Sequence, residues 1–251
     1  MTMDRRSVLG LGGAIAAGVV LAPGMYLVAA PQTPSDAPKD PAESPPPKRW
    51  AMLIDTTKCS ASCTACVDAC RQENNVPLFG DPERDIYWIR KVELRDKGLR
   101  KPPVSLPVLC NHCENPPCVH VCPTAASFTR KDGVVLIDKH RCIGCRYCII
   151  ACPYKARSLV YYKTKPPANT NKAVPIRAAG VVEKCTFCVH RIDNGEPPAC
   201  VAACQGAEKG AMIFGDINDP QSEISQRLLT VKTQTMRPDL GLKPQVHYQG
   251  I

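Results

Sequence analysis

The sequence is poor in aromatic side chains, with four Phe, two Trp and seven Tyr among 251 residues, 5% in all. Aromatic rings supply much of the buried area of an ordinary core, so side-chain packing alone would hold this chain thinly and another source of cohesion is needed. Beyond the first thirty residues there is no long apolar run, and nothing there approaches the roughly 18 residues that a membrane-spanning helix requires. That excludes a polytopic membrane protein. Neither a glycine-rich dinucleotide fingerprint nor a phosphate-binding loop occurs. The 16 glycines follow no three-residue period, which excludes a collagen-like chain. What the sequence holds in excess is cysteine, 16 in all, together with 25 Pro.

The N-terminus, MTMDRRSVLG, sets Arg5-Arg6 directly before an apolar run from Val8 to Ala30, the layout of an export signal. The paired arginines resemble the twin-arginine type, an address for proteins exported already folded, although Asp4 and Val8 depart from its usual residues. A retained membrane anchor is the alternative, because the run is nearly long enough to span a bilayer. Gly12, Gly13, Gly18, Pro23 and Gly24 make it a soft helix, which favours a signal over residues 1–30. Residues 31–47 are a Pro-rich linker with almost no apolar side chains. The folded part is expected from residue 48.

The cysteines fall into four groups of four: Cys59, Cys63, Cys66 and Cys70; Cys110, Cys113, Cys118 and Cys122; Cys142, Cys145, Cys148 and Cys152; Cys185, Cys188, Cys200 and Cys204. The third group has the spacing C-x2-C-x2-C-x3-C followed by Pro153, the bacterial ferredoxin run, in which three thiolates hold one 4Fe-4S cube and the fourth serves the neighbouring cube. The second widens one loop around Pro116-Pro117 and again ends in Cys-Pro. The first is one residue looser at its first step, and the last carries the insertion VHRIDNGEPPA. All four end in C-x3-C, the step that hands a ligand to a partner cube. At four thiolates per cube, the sixteen cysteines suffice for four cubes.

Two other uses of cysteine were weighed. An exported protein meets an oxidising compartment, where disulfides are common, but ferredoxin spacing followed twice by Pro is a specific pattern. Structural zinc sites pair C-x2-C knuckles across a longer gap, whereas the first three groups each crowd four Cys into about a dozen residues. Charge fits the cubes. Without Asp4, Arg5 and Arg6 the chain holds 30 basic and 22 acidic residues, an excess of eight. Four oxidised cubes with their thiolates bring roughly eight negative charges, so the basic excess is largely internal compensation and a nucleic-acid partner has no support. Lys58, Arg71, Arg141, Arg146, Lys155, Lys184 and Arg191 lie within a few residues of a cysteine. His112, His120, His140 and His190 also flank the groups and are expected to pack or hydrogen-bond rather than ligate.

Short apolar runs at 51–54, 86–92, 134–137, 158–161 and 211–214 read as strands, and 220–232 reads as a helix, with Ile224 and Leu228 at helical spacing. The expected class is α+β with much irregular backbone.

The stretches RWAMLIDTTKC, LCNHCENPPCVHVCPT, HRCIGCRYCIIACPYKAR, GVVEKCTFCVHRIDNGEPPACVAAC and IFGDINDP resemble the four-cluster ferredoxin subunits of membrane-associated respiratory oxidoreductases. Within that group, the leader, IRAAGVVEKC and LGLKPQVHYQG are most similar to the periplasmic iron-sulfur subunits of membrane complexes linked to dissimilatory sulfite reductase. The resemblance implies two ferredoxin-like modules, each with a pair of 4Fe-4S clusters and crossed ligation. One cube takes Cys59, Cys63, Cys66 and Cys204, a second Cys185, Cys188, Cys200 and Cys70, a third Cys110, Cys113, Cys118 and Cys152, and a fourth Cys142, Cys145, Cys148 and Cys122. Residues 106–177 then form an inner module, residues 48–105 and 178–216 an outer one, and residues 217–251 a C-terminal helix and tail. The departures, in the first group and at Gln205 and GAEKGA, sit in the outer module, where a 3Fe-4S or missing cluster is expected if one occurs at all.

The function so implied is electron relay without a substrate site of its own. Its partners would be an integral membrane quinone-interacting subunit and a multihaem cytochrome c, or else the molybdopterin subunit of a polysulfide or tetrathionate reductase. The chain would be periplasmic and peripheral to the membrane. A free-standing enzyme using a cube as Lewis acid would need an open iron, and sixteen cysteines for sixteen sites leave none.

Overall fold

The computed structural model describes residues 20–22, 25–26, 47–95, 103–163, 170–176, 178–207 and 210–251. The chain divides into two compact units, Met1–Pro45 and Pro46–Ile251. In the first, Val20–Ala22 pairs antiparallel with Met25–Tyr26. This corrects the helix expected there, and Pro23-Gly24 in the sequence gives the reason, because that pair opposes a continuous helix and favours a turn. The paired arginines and most of the Pro-rich linker lie outside the described residues. Among those described, no helix is long and apolar enough to cross a membrane.

The second unit is organised by a four-stranded sheet in the order Met212–Asp216, Trp50–Asp55, Val246–Gln249, Thr233–Thr235. The first pair is antiparallel, the middle pair parallel and the last antiparallel. Alternation along Trp50–Asp55 sorts the side chains as the two-residue period demands. Ala51 and Leu53 face a helix, Glu223–Thr230, whose Ile224 is fully buried against them. Met52 and Ile54 face the other way and join Val246, Tyr248 and Met212 in the cluster that also contains most of the buried cysteines. The helix starts at Ser222, whose hydroxyl accepts from the Ser225 amide at 3.3 Å. The segment 217–251 thus supplies a helix and two strands of the main sheet, far more than a tail.

Three two-stranded ribbons complete the architecture: Ile89–Leu94 with Val104–Leu109, Ser127–Thr129 with Val135–Ile137, and Ser158–Leu159 with Val182–Glu183. Three of the scarce aromatics and a histidine stack in a chain beside the sheet. Trp50 stacks on Phe214 at 5.2 Å, Phe214 meets Phe187 edge-on at 5.2 Å, and Phe187 stacks on His112 at 3.7 Å. Tyr248, fully buried, donates its hydroxyl to the Pro107 carbonyl at 3.1 Å and so ties the last strand to the Val104–Leu109 ribbon.

Candidate functional site

The C-x3-C steps are carried by short helices. Ala65–Glu73 bears Cys66 and Cys70, and Ala199–Gly206 bears Cys200 and Cys204. Cys118 lies in Pro117–His120 and Cys148 in Tyr147–Ile150, each with its group's last cysteine just past the helix end. Four residues along a helix is an axial step of about 6 Å on nearly the same face. On each of these helices the two cysteines divide between neighbouring cages, so each helix serves two adjacent sites.

The cavities follow that rule. One, of about 360 Å³, is walled by Cys59, Cys63, Cys66 and Cys204 with Ile54, Pro107 and Met212. A second, of about 320 Å³, is walled by Cys110, Cys113, Cys118 and Cys152 with Pro116, Tyr154 and Arg157. A third, of about 260 Å³, is walled by Cys122, Cys142, Cys145 and Cys148 with Ile143 and Val182. The remaining four, Cys70, Cys185, Cys188 and Cys200, are all buried, and Cys70 senses the charges of the other three.

The same electrostatic neighbours order the four cages. Cys66 of the 59/63/66/204 cage acts on both Cys70 and Cys200. Cys185 feels Cys110 of the 110/113/118/152 cage. Arg157 reaches Cys118 there and Cys148 of the 122/142/145/148 cage. The cages therefore form a row. The exposed Cys145 lies in the cage at one end, and the half-buried Cys59 and Cys63 in the cage at the other.

The backbone bends into these cages at left-handed residues inside or beside the cysteine loops: His112 (φ 41°), Arg146 (φ 68°), Phe187 (φ 54°) and Cys188 (φ 51°). A non-glycine residue in this region costs on the order of 1–3 kcal/mol, so such a cluster of them marks a functional constraint. Several amides point at sulfur in return. Val182 donates to Cys142, Ser127 to Cys122 and Phe187 to Cys185, each at 3.4 Å, and Asn74 Nδ2 donates to Cys188 at 3.5 Å.

What could occupy the cages follows from donor chemistry and size. All sixteen cysteines are free. Tetrahedral zinc at about 2.3 Å from each sulfur requires sulfurs only about 3.8 Å apart, and among the described residues no three His, Cys, Asp or Glu side chains converge closely enough to hold a single metal ion. The thiols instead line shared cavities four at a time. Burial, reinforced by neighbouring cysteines, pushes Cys66 up to about 11 and Cys113 and Cys185 up to about 12. Cys70 and Cys200 are driven well above the usual thiol range by the same causes. Four thiolates can share such a cage only around cationic metal.

The polar interior agrees. Arg157 and Lys184 are 4% and 2% exposed, and the ion pairs of the described residues give neither a carboxylate. Lys184 Nζ donates to the Val135 carbonyl and to that of Cys185, the latter at 2.7 Å. Asn111 Nδ2 and Arg157 Nη1 are buried donors without a protein acceptor beside the 110/113/118/152 cage. Buried cations and orphan donors of this kind suit an anionic, sulfide-rich group.

Of the basic residues flagged by sequence, Lys184 is buried, whereas Lys58, Arg141, Arg146 and Lys155 are exposed. Arg71 stacks on Tyr87 at 4.7 Å and Arg191 pairs with Glu73 at 3.2 Å. His190 hydrogen-bonds Glu73 at 2.7 Å, and His120 and His140 are exposed. His112 Nδ1 accepts from the Val135 amide at 3.1 Å, and burial, with Lys184, Arg157 and Arg49 nearby, holds it well below the usual histidine range, hence neutral. Sequence reasoning missed Arg157, Asn74 and Asn111. Arg157 could have been flagged as a second cation, after Lys155, within five residues of Cys152, whereas nothing local marks the two asparagines.

Residues 104–217 match the 4Fe-4S dicluster domain family. The chain is 45% identical to the Hdr-like menaquinol oxidoreductase iron-sulfur subunit 1 of Archaeoglobus fulgidus, over 98% of this chain and 97% of that protein. It is 40% identical to a tetrathionate reductase subunit of Salmonella typhimurium, over 83% and 75% of the two chains. With the menaquinone reductase iron-sulfur cluster-binding subunit of Nitratidesulfovibrio vulgaris the identity is 35%, over 80% and 88%.

Proposed function

The chain belongs to the iron-sulfur electron-transfer subunits of membrane-linked oxidoreductase complexes and is itself non-catalytic, and from that premise we propose that it is a four-cluster wire of the DsrO type, the periplasmic iron-sulfur subunit linked to dissimilatory sulfite reductase. The clusters are 4Fe-4S cubes held by the four cysteine sets described above, within two ferredoxin-like modules. Bound there, they supply one-electron carriers that need no proton and no open coordination site.

The protein's own part is positional. Each C-x3-C helix would lend one cysteine to each of two neighbouring clusters. Apolar walls such as Ile54, Pro107 and Met212 keep water from the cubes, and amide donors and buried cations tune them. The single observation that carries the reading is the row of four cysteine-walled cages with accessible cysteines at its ends. Exposed Ile143, Tyr147 and Ile150 surround one of those ends. One partner is an integral membrane subunit that handles a quinone, of the menaquinone kind on the names of two relatives, and the other is a multihaem cytochrome c. Export already folded, by the twin-arginine route to the periplasm, accords with cubes assembled in a reducing compartment.

A second reading, the electron-transfer subunit of a molybdopterin reductase, is favoured by the similarity to the tetrathionate reductase of Salmonella typhimurium. Anaerobic purification tests the shared core of both readings. About sixteen iron and sixteen acid-labile sulfide per chain are expected, and a colourless protein with zinc or oxidised thiols would overturn it. Purifying the native complex separates the two, since a haem cytochrome supports the first and a molybdopterin protein the second.

A further inference from the structure

The guanidinium of Arg157 is enclosed where two cages meet. Its Nη2 donates to Cys118 Sγ at 2.8 Å and to Ser127 Oγ at 2.8 Å, while Nη1 is buried with no protein acceptor among the described residues. Cys118 walls the 110/113/118/152 cage. Cys148 walls the next one, and there the charge of Arg157 opposes the effect of burial on the thiol. A buried cation persists only when something pairs it, and no carboxylate among the ion pairs of the described residues does so here. Arginine cannot lose its proton, so the charge is permanent whatever the cages hold.

We propose that Arg157 is a positioning residue for electron passage, a fixed cation bonded to Cys118 of the 110/113/118/152 cage and set beside Cys148 of the neighbouring 122/142/145/148 cage, which raises the reduction potentials of both clusters together and offsets the repulsion that an electron on one imposes on the other. This rests on the cluster reading above. Each reduction adds one electron and one negative charge to a cage, delivered from the neighbouring cage and ultimately from the quinol-handling subunit, with no bond made and no proton moved. The fork geometry matters as much as the charge. A lysine ammonium is a point charge on a flexible stem and would hold Cys118 and the Ser127 hydroxyl less firmly than the planar guanidinium does. Lys184, the other buried cation, spends its donors on backbone carbonyls rather than on sulfur.

The test is a redox titration of the full, cluster-loaded chain, followed by electron paramagnetic resonance, for wild type, Arg157→Gln, Arg157→Lys and Arg141→Gln, with iron and sulfide measured on each. Arg141 is an exposed control, its side chain 65% accessible and 3.6 Å from Asp138. In Arg157→Gln two of the four clusters should become harder to reduce, on the order of tenfold in their reduction equilibrium as expected for loss of a charge-assisted hydrogen bond, about 59 mV for a one-electron couple. The other two clusters should not move, and Arg141→Gln should change none of them. A fully loaded Arg157→Gln protein that titrates like wild type, or in which one cluster alone or all four shift, overturns the proposal. If that variant loses iron, Arg157→Lys decides, and a loaded lysine protein in which only one of the two adjacent potentials moves overturns the sharing. A wild-type chain with almost no iron would instead defeat the cluster reading and leave Arg157 out of account.

Discussion

Gly144, between Cys142 and Cys145, is where the wrapping of a cysteine loop can be tested most directly. Its φ is +67°, and a Cβ built there would lie 2.2 Å from the carbonyl oxygen of Gly180. That oxygen cannot swing aside, because Gly180 donates to Val160 O at 2.8 Å and Val160 in turn to Val181 O at 3.0 Å. Relieving the clash requires a backbone shift of about 1 Å to regain a normal contact distance. The same segment carries the Val182 amide that donates to Cys142 Sγ at 3.4 Å, so the shift also draws a donor away from a thiolate. For Gly144→Ala, left-handed alanine costs roughly 1–2 kcal/mol and overpacking against backbone roughly 1–3 kcal/mol more, a total of about 2–5 kcal/mol. Gly195→Ala is the control: its φ is +78° but nothing lies within 4 Å of its Cβ position, so it bears only the backbone part. Iron analysis of the anaerobically purified variants is the assay. Gly144→Ala should retain about twelve iron of about sixteen, having lost the 122/142/145/148 cube, with a lower denaturation midpoint than Gly195→Ala. Equal iron content and equal midpoints in the two variants would refute the steric argument.

The crossing of ligands predicts reciprocal damage. Cys152→Ser should abolish or convert the cluster signal of the 110/113/118/152 cage, and Cys122→Ser that of the 122/142/145/148 cage. Magnetic resonance that showed each substitution damaging its own sequence group instead would contradict the arrangement. Tyr248→Phe removes the donor to the Pro107 carbonyl in a fully buried setting and should cost about 1–3 kcal/mol for the carbonyl left unpaired. Anaerobic denaturation of the loaded protein measures it, and a stability unchanged from wild type would mean that the last strand is held by packing alone.

How much of this was legible in the sequence varied with the range of the interaction. The strand Trp50–Asp55 announced itself because its apolar side chains are local, and the helix Glu223–Thr230 because Ile224 and Leu228 recur at its period. Val104–Leu109 did not, since Pro107 falls inside it. In a two-stranded ribbon one edge of each strand is unpaired, so the missing amide of Pro107, opposite Lys91, is tolerated. Val246–Gln249 read as tail because its strand character comes from parallel pairing with Met52–Asp55, nearly two hundred residues away. The helix Ala65–Glu73 was hidden for another reason: its N-cap Thr64 makes no side-chain cap bond, and its regular feature is the cysteine spacing itself.

The site shows the same division in its chemistry. Which cysteines count was plain from spacing, but the closing of one group on another was implied only by resemblance, and it is the mixed lining of the cavities that displays it. Charge compensation was legible as a total and not as a distribution. Lys58, Arg141, Arg146 and Lys155 stand at the surface, where salt screens them over about 8–10 Å, so sequence proximity to a cysteine overstates their effect. The unscreened positive charge is concentrated in two side chains, Lys184 beside Cys185 and Arg157 between Cys118 and Cys148. Lys184 lies within the row, and Arg157 between its third cage and the end cage that holds Cys145. The end cage at Cys63 has instead the half-buried Lys91, bonded to the Cys63 carbonyl at 3.0 Å. Compensation this uneven is incompatible with four equal potentials. The carriers along the row should therefore differ in how readily they accept an electron, with the interior cations setting where along it the charge rests.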